Sequence, residues 1–134
     1  MPYNEGLLNT ISAPAGADLS AKQFYGVSLV NAGSNPPGVT AVVATAAKAV
    51  AGVLQNNPIA GQAATIQTTG TTKVAISASQ VITGGTTLLE VDAGGTFKPV
   101  ATGTAVAQAL ESLASTTAIG IISARLLPSN AVLS

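Results

Sequence analysis

The sequence predicts an all-β domain, a compact sandwich or barrel with at most one or two short helical turns, and three observations carry that expectation. Glycine and proline punctuate the 134 residues at short intervals, in the clusters Asn35-Pro36-Pro37-Gly38, Asn56-Asn57-Pro58, Gly84-Gly85 and Asp92-Ala93-Gly94-Gly95. Each is a turn signal with a mechanism: Pro fixes φ, Gly supplies positive φ, and Asn or Asp hydrogen-bonds its own backbone. Between the clusters lie runs of about five to nine residues rich in Val, Ile, Thr and Leu, the spacing of a sandwich or barrel. Hydrophobic residues make up 47% of the chain but include few aromatics, namely Tyr3, Phe24, Tyr25 and Phe97. A core packed from small and branched side chains suits sheets.

Taken in order, the first twenty residues have no clean period, with Leu7, Leu8, Ile11 and Leu19 scattered among Asn, Ser, Pro and Gly. They read as an extended N-terminal arm, 1–20, either ordered against a partner or simply frayed. A single β-rich domain follows over 21–128, and 129–134 is a short C-terminal tail. One domain is the expectation for this length, because a chain of this size buries roughly two-thirds of its unfolded surface without a metal or disulfide. Strands are expected over 25–31, 39–44, 48–54, 63–68, 72–77, 86–91, 97–101, 104–110 and 118–126.

The clearest hairpin spans 86–101. If its loop is Ala93–Gly95, Glu90 faces Lys98 and Val91 faces Phe97, which puts the polar and the apolar pair on opposite faces. A two-residue loop would set Glu90 against Phe97, so the pattern favours the first register. Two segments fit either period. Alanine-rich 41–51 resembles a helix, but Gly52 and the β-branched Val42, Val43 and Val50 favour strand. In 104–114, Val106, Ala109, Leu110 and Leu113 make a helical stripe while Val106, Gln108 and Leu110 alternate; strand is preferred, with a helical turn at 111–115.

Reactive chemistry is scarce. The chain has no His, no Cys, and only five acidic and five basic residues. Enzymes that move protons or acyl groups near neutral pH draw on His, Cys, a perturbed carboxylate or lysine, or a metal. Glu90 and Asp92 share a strand face and superficially suggest a glycosidase couple, but no aromatic platform or second acidic cluster accompanies them. A solvated strand end is the simpler reading. Lys73 and Ser77 would lie about 13 Å apart along a strand, too far for a nucleophile and its base. Gly70-Thr71-Thr72-Lys73 lacks the spacing of a phosphate loop and reads as a hairpin turn. Zinc ligands are missing, and nothing encodes a calcium site at Glu90 and Asp92. No catalytic residue, cofactor, metal or small-molecule substrate is therefore expected.

Formal net charge is zero, and Lys22, Lys48, Lys73, Lys98 and Arg125 are evenly spread, so no sequence-local basic patch exists to hold nucleic acid. The N-terminus, Met1-Pro2-Tyr3-Asn4-Glu5-Gly6, has neither the basic n-region nor the apolar h-region of a secretory signal. The longest apolar stretch, 41–54, is broken by Thr45, Lys48 and Gly52 and is too short to span a bilayer. The expectation is a soluble protein, made in a cytoplasm, without a membrane partner.

Several pieces carry a family resemblance. These are Ala15-Gly16-Ala17-Asp18-Leu19-Ser20, Gln23-Phe24-Tyr25, Gly52-Val53-Leu54-Gln55-Asn56-Asn57-Pro58, Ala60-Gly61-Gln62-Ala63-Ala64, Thr72-Lys73-Val74 and Ala109-Leu110-Glu111. In order and spacing, over roughly 14–126, they resemble the capsid decoration (cement) proteins of tailed bacteriophages. The resemblance implies a β-rich homotrimer on the outer capsid surface of the virion, clamping neighbouring major capsid protein subunits after the shell expands. On that reading the arm adds an extended strand to a capsid sheet edge. The candidate capsid or subunit interface is then Tyr3, Leu7, Leu8, Ile11, Asp18 and Leu19. Three other classes compete: a surface or fibre module binding host glycans, which would need exposed aromatics or a polar loop site; an enzyme, against which the spacing tests count; and a self-assembling shell or tail-tube subunit.

Overall fold

Ten short strands and no helix form among residues 10–31, 39–43, 50–101, 105–114 and 117–127, which are those that the computed structural model describes. In chain order they are β1 (Thr10–Pro14), β2 (Gly26–Asn31), β3 (Val39–Val43), β4 (Gly52–Leu54), β5 (Ala63–Gln67), β6 (Gly70–Ile76), β7 (Leu88–Val91), β8 (Phe97–Pro99), β9 (Ala107–Ala109) and β10 (Gly120–Leu126). The expected all-β class is what forms. Strands β1, β5, β4, β2 and β3 make an antiparallel sheet in that order. It curls until Cα atoms of its edge strands β1 and β3 come within 8 Å. The remaining five close into a barrel, β10-β6-β8-β7-β9, in which β6 and β8 run parallel and every other pair is antiparallel.

Each sheet has its own core. In the barrel, alternate residues Val74 and Ile76 of β6 and Ile122, Ala124 and Leu126 of β10 point inward, onto Leu89, Val91 and Phe97. Phe97 is fully buried, a burial that contributes about 1.5–3 kcal/mol. The curled sheet closes over Ala13, Ala15, Leu19, Val27, Leu54, Ala64 and Ile66. Strand β4 belongs to both: Val53 packs into the barrel core and Leu54 into the other. Gly52 allows this close approach, because a Cβ there would strike the backbone carbonyl oxygen of Gln67.

Phe24 rivets the halves together. Its N–H donates to Leu54 O (2.7 Å), its carbonyl accepts from Ala75 N–H (3.0 Å), and its ring packs against the barrel core. It does so at φ 71°, a conformation that bulky residues rarely adopt and that surrounding contacts must hold.

The hairpin register is the expected one, with Glu90 opposite Lys98 and Val91 opposite Phe97. Asp92 N–H donates to Thr96 O (2.6 Å), leaving the Ala93–Gly95 loop, in which Gly94 and Gly95 both take positive φ. Other expectations are corrected. Gly70-Thr71-Thr72-Lys73 is not a hairpin turn but the start of β6; the chain crosses from one sheet to the other at Thr68 and Thr69, and Gln67 Nε2 pins that crossing by donating to the carbonyls of Thr69 and Thr71 (2.9 Å each). The arm boundary at 20 falls inside the curled sheet: β1 pairs along β5, and Ala13, Ala15 and Leu19 are core. Polar Thr10 and Ser12 and a terminal Pro14 hid this strand, yet all three suit a sheet edge. Residues 1–9 and the tail 129–134 lie outside the described residues, as does 44–49 of the ambiguous alanine-rich segment; within 104–114 a three-residue strand, β9, forms, and no helical turn occurs at the described residues 111–114.

Candidate functional site

A dense polar cluster lies along the barrel seam between β6 and β8. That seam has a single ladder pair, Ile76 with Phe97, extended by Ser77 N–H donating to Phe97 O (2.9 Å). Side chains reinforce it. Ser77 Oγ donates to Asp92 Oδ2 (3.0 Å) and shares a 2.6 Å hydrogen bond with Thr96 Oγ1. Asp92 Oδ1 accepts from Ala93 N–H (2.8 Å), and Lys98 Nζ sits 3.6 Å from Asp92 Oδ1 and 3.8 Å from Glu90 Oε2. Glu90 Oε2 also accepts from Ala101 N–H (3.2 Å).

Partial burial pushes the Asp92 carboxyl up, but the Ala93 and Ser77 hydrogen bonds and the Lys98 charge outweigh it and hold the group below the ordinary carboxylate range. A glycosidic couple needs one carboxyl kept protonated, opposite a second across the scissile bond. Here both carboxylates face one ammonium, and Asp92 is held charged. The arrangement is that of a strand clasp. Ser77 finds its partners in Asp92 and Thr96 rather than in Lys73, and no group of three or more His, Cys, Asp or Glu converges among the described residues.

Of the six candidate interface residues, the described part of the chain places Ile11, Asp18 and Leu19. Tyr3, Leu7 and Leu8 lie outside the described residues. Ile11 sits opposite Ile66 on β1 and extends the core-facing side of that strand to where it becomes exposed. Asp18 is fully exposed; hydrogen bonding from Ser20, through its hydroxyl and its N–H (3.0 Å), holds its carboxyl below the usual range. Leu19 is corrected from interface to core: it is 2% exposed, and its N–H donates to Pro58 O (2.9 Å).

With this geometry in view, the fold can be set beside known ones. Among solved structures it is similar to the N base of the head fibre gp8.5 of bacteriophage phi29. The TM-score is 0.66 at 15% sequence identity, over 88% of this chain and 92% of that one. No protein-family model matches the chain, and no curated protein matches it in sequence. At that identity the likeness is one of fold, and it extends over nearly the whole of both chains.

Sequence reasoning missed a different feature, a set of large aliphatic side chains left on the outside of the barrel. Leu88, Leu110 and Ile121 are 44%, 43% and 47% exposed. The run Ile121-Ile122 shows why: both residues are apolar, so alternation alone does not tell which of them faces the core. The signal was present further along β10, where Ser123 and Arg125 share the parity of Ile121.

Proposed function

We infer that this chain is a structural protein of a tailed-phage virion, seated on the exterior of the head. The observation that carries this is the shared fold with a phage head-fibre base, matched over nearly the full length of both chains. In the finer reading it is a decoration protein, a homotrimer that clamps adjacent major capsid protein subunits and stabilises the expanded shell. The sequence resemblance to cement proteins supports that version, and a clasped, closed barrel is a rigid body of the kind a clamp requires. The fold likeness itself favours a second version, in which the domain is the base of a fibre and anchors it to the head without bracing the shell. Recognition of host glycans is the third.

One experiment separates them. Purified protein is added to expanded, undecorated heads, and both co-sedimentation and the temperature at which the shells disrupt are measured. A clamp binds in stoichiometric amounts and raises the disruption temperature; a fibre base binds and leaves it unchanged. Absence of binding to heads, with retention on a glycan array, overturns both. Native mass spectrometry of the free protein reads the trimer directly.

A further inference from the structure

The outer face of the barrel carries an ordered arrangement that neither the fold nor the clasp uses. Cross-strand pairing places Leu88, Gln108, Arg125 and Thr71 in one row across β7, β9, β10 and β6. The next row holds Leu110, whose N–H donates to Ser123 O (2.9 Å), then Ser123 itself and Lys73. Ile121, opposite Ala75, opens the third. Diagonal neighbours on a sheet lie roughly 7–8 Å apart, within reach of long side chains. Leu88, Leu110 and Ile121 therefore form an apolar diagonal, and Arg125 and Lys73 form a cationic diagonal parallel to it. Gln108 and Ser123 lie between, and two strand spacings of about 10 Å separate the ridges along a row.

Arg125 is held in place, and among the described residues neither cation is neutralised by an ion pair. Arg125 Nε and Nη2 both donate to Gln108 Oε1 (3.2 and 2.7 Å), which fixes the direction of the guanidinium. Lys98 makes the ion pairs found among the described residues, so Lys73 and Arg125 are left without one there. Glu111 is the carboxylate nearest to Arg125 in sequence; its Oε1 accepts from Ser123 N–H (2.6 Å), so one negative charge stands beside the two cations and the face keeps a net positive charge. Neighbouring like charges beside exposed aliphatic surface repel one another in the isolated chain, a cost that an anionic partner would reverse.

We propose that this β7-β9-β10-β6 face is the surface by which the protein docks on the head shell, and that it fits an acidic protein surface presenting apolar side chains beside its carboxylates. The proposal rests on the head-exterior reading above. Two cations are too few for a phosphate backbone, and no aromatic residue is on the face to stack a base. A charged ridge beside an apolar stripe sets encounter rate and orientation, while the stripe supplies the buried area.

The test compares wild type, Lys73→Glu/Arg125→Glu, Leu110→Asp and the control Lys22→Glu for binding to expanded heads, at low and at raised salt, with thermal melts and native mass spectrometry on each. The expected result is binding by wild type and control, a loss of about tenfold or more for the charge-reversed and Leu110→Asp variants, and salt dependence that the double variant no longer shows. Melts unchanged from wild type keep the double variant informative, since both residues are exposed. Wild type that binds while both face variants bind equally well overturns the docking face and leaves the head-exterior reading standing. Wild type that fails to bind overturns the reading itself. A changed oligomeric state in the variants assigns the face to contacts between copies of this chain and likewise overturns the proposal.

Discussion

At the scale of the residue, Asp92 and Ser77 illustrate how a strand clasp is built from groups that resemble catalytic ones. The Asp92 carboxyl is depressed in the folded protein relative to its ordinary value of 3.8, so its contribution to stability is complete above that pH and is lost as pH falls through the lower folded value. Thermal melts followed from pH 6 to pH 2 are expected to show an acid limb that Asp92→Asn flattens; an unchanged limb would place the acid sensitivity elsewhere. Ser77→Ala removes both the donor to Asp92 and the partner of Thr96, and it is expected to destabilise by about 1–2 kcal/mol in urea titrations, with an unchanged m-value. The proximity of Glu90 to Asp92 was legible in the sequence, as was the register that brings Lys98 to Glu90. Ser77 was not, because it reaches Asp92 across the parallel β6–β8 seam, and local pattern carries no trace of a parallel pairing between distant runs.

At the scale of the element, the β7–β8 hairpin is specified by its turn and β1 by its neighbour. Gly95 takes φ 95°, and a Cβ there would lie 2.5 Å from Val43 Cγ1 and 3.1 Å from Gly26 O. Gly95→Ala is therefore expected to cost about 1–3 kcal/mol, through both backbone strain and overpacking where the hairpin meets the curled sheet. Gly94 also has positive φ but has open space around it, so Gly94→Ala pays the strain without the clash and should cost less. Equal losses, measured by equilibrium denaturation, would mean that the Val43 contact does not matter. The hairpin could be read from sequence because turn chemistry and alternation act over adjacent residues. Strand β1 could not, since Thr10-Ile11-Ser12-Ala13-Pro14 becomes a strand only by pairing with β5, about fifty residues away.

At the scale of the molecule, β4 makes one cooperative unit from two cores. Val53 and Leu54 are adjacent in sequence and serve opposite cores, and Phe24 bonds to backbone groups of β4 and β6. Calorimetry of the whole chain is expected to give a single transition with matching calorimetric and van't Hoff enthalpies. Val53→Ala and Leu54→Ala should each lower that one transition, Leu54→Ala by about 2–5 kcal/mol, the usual loss for a buried leucine. Two resolved transitions, each sensitive to one substitution only, would show the halves to be independent. The sequence by itself determined the all-β class and the turn and register of the central hairpin, because glycine, proline and β-branched residues act through local backbone sterics. The tertiary structure decided which of Ile121 and Ile122 faces outward, that residues 10–19 belong to the curled sheet, and that Gly70 opens a strand. Each of these depends on which distant strand pairs alongside, and that pairing is a property of the packed whole.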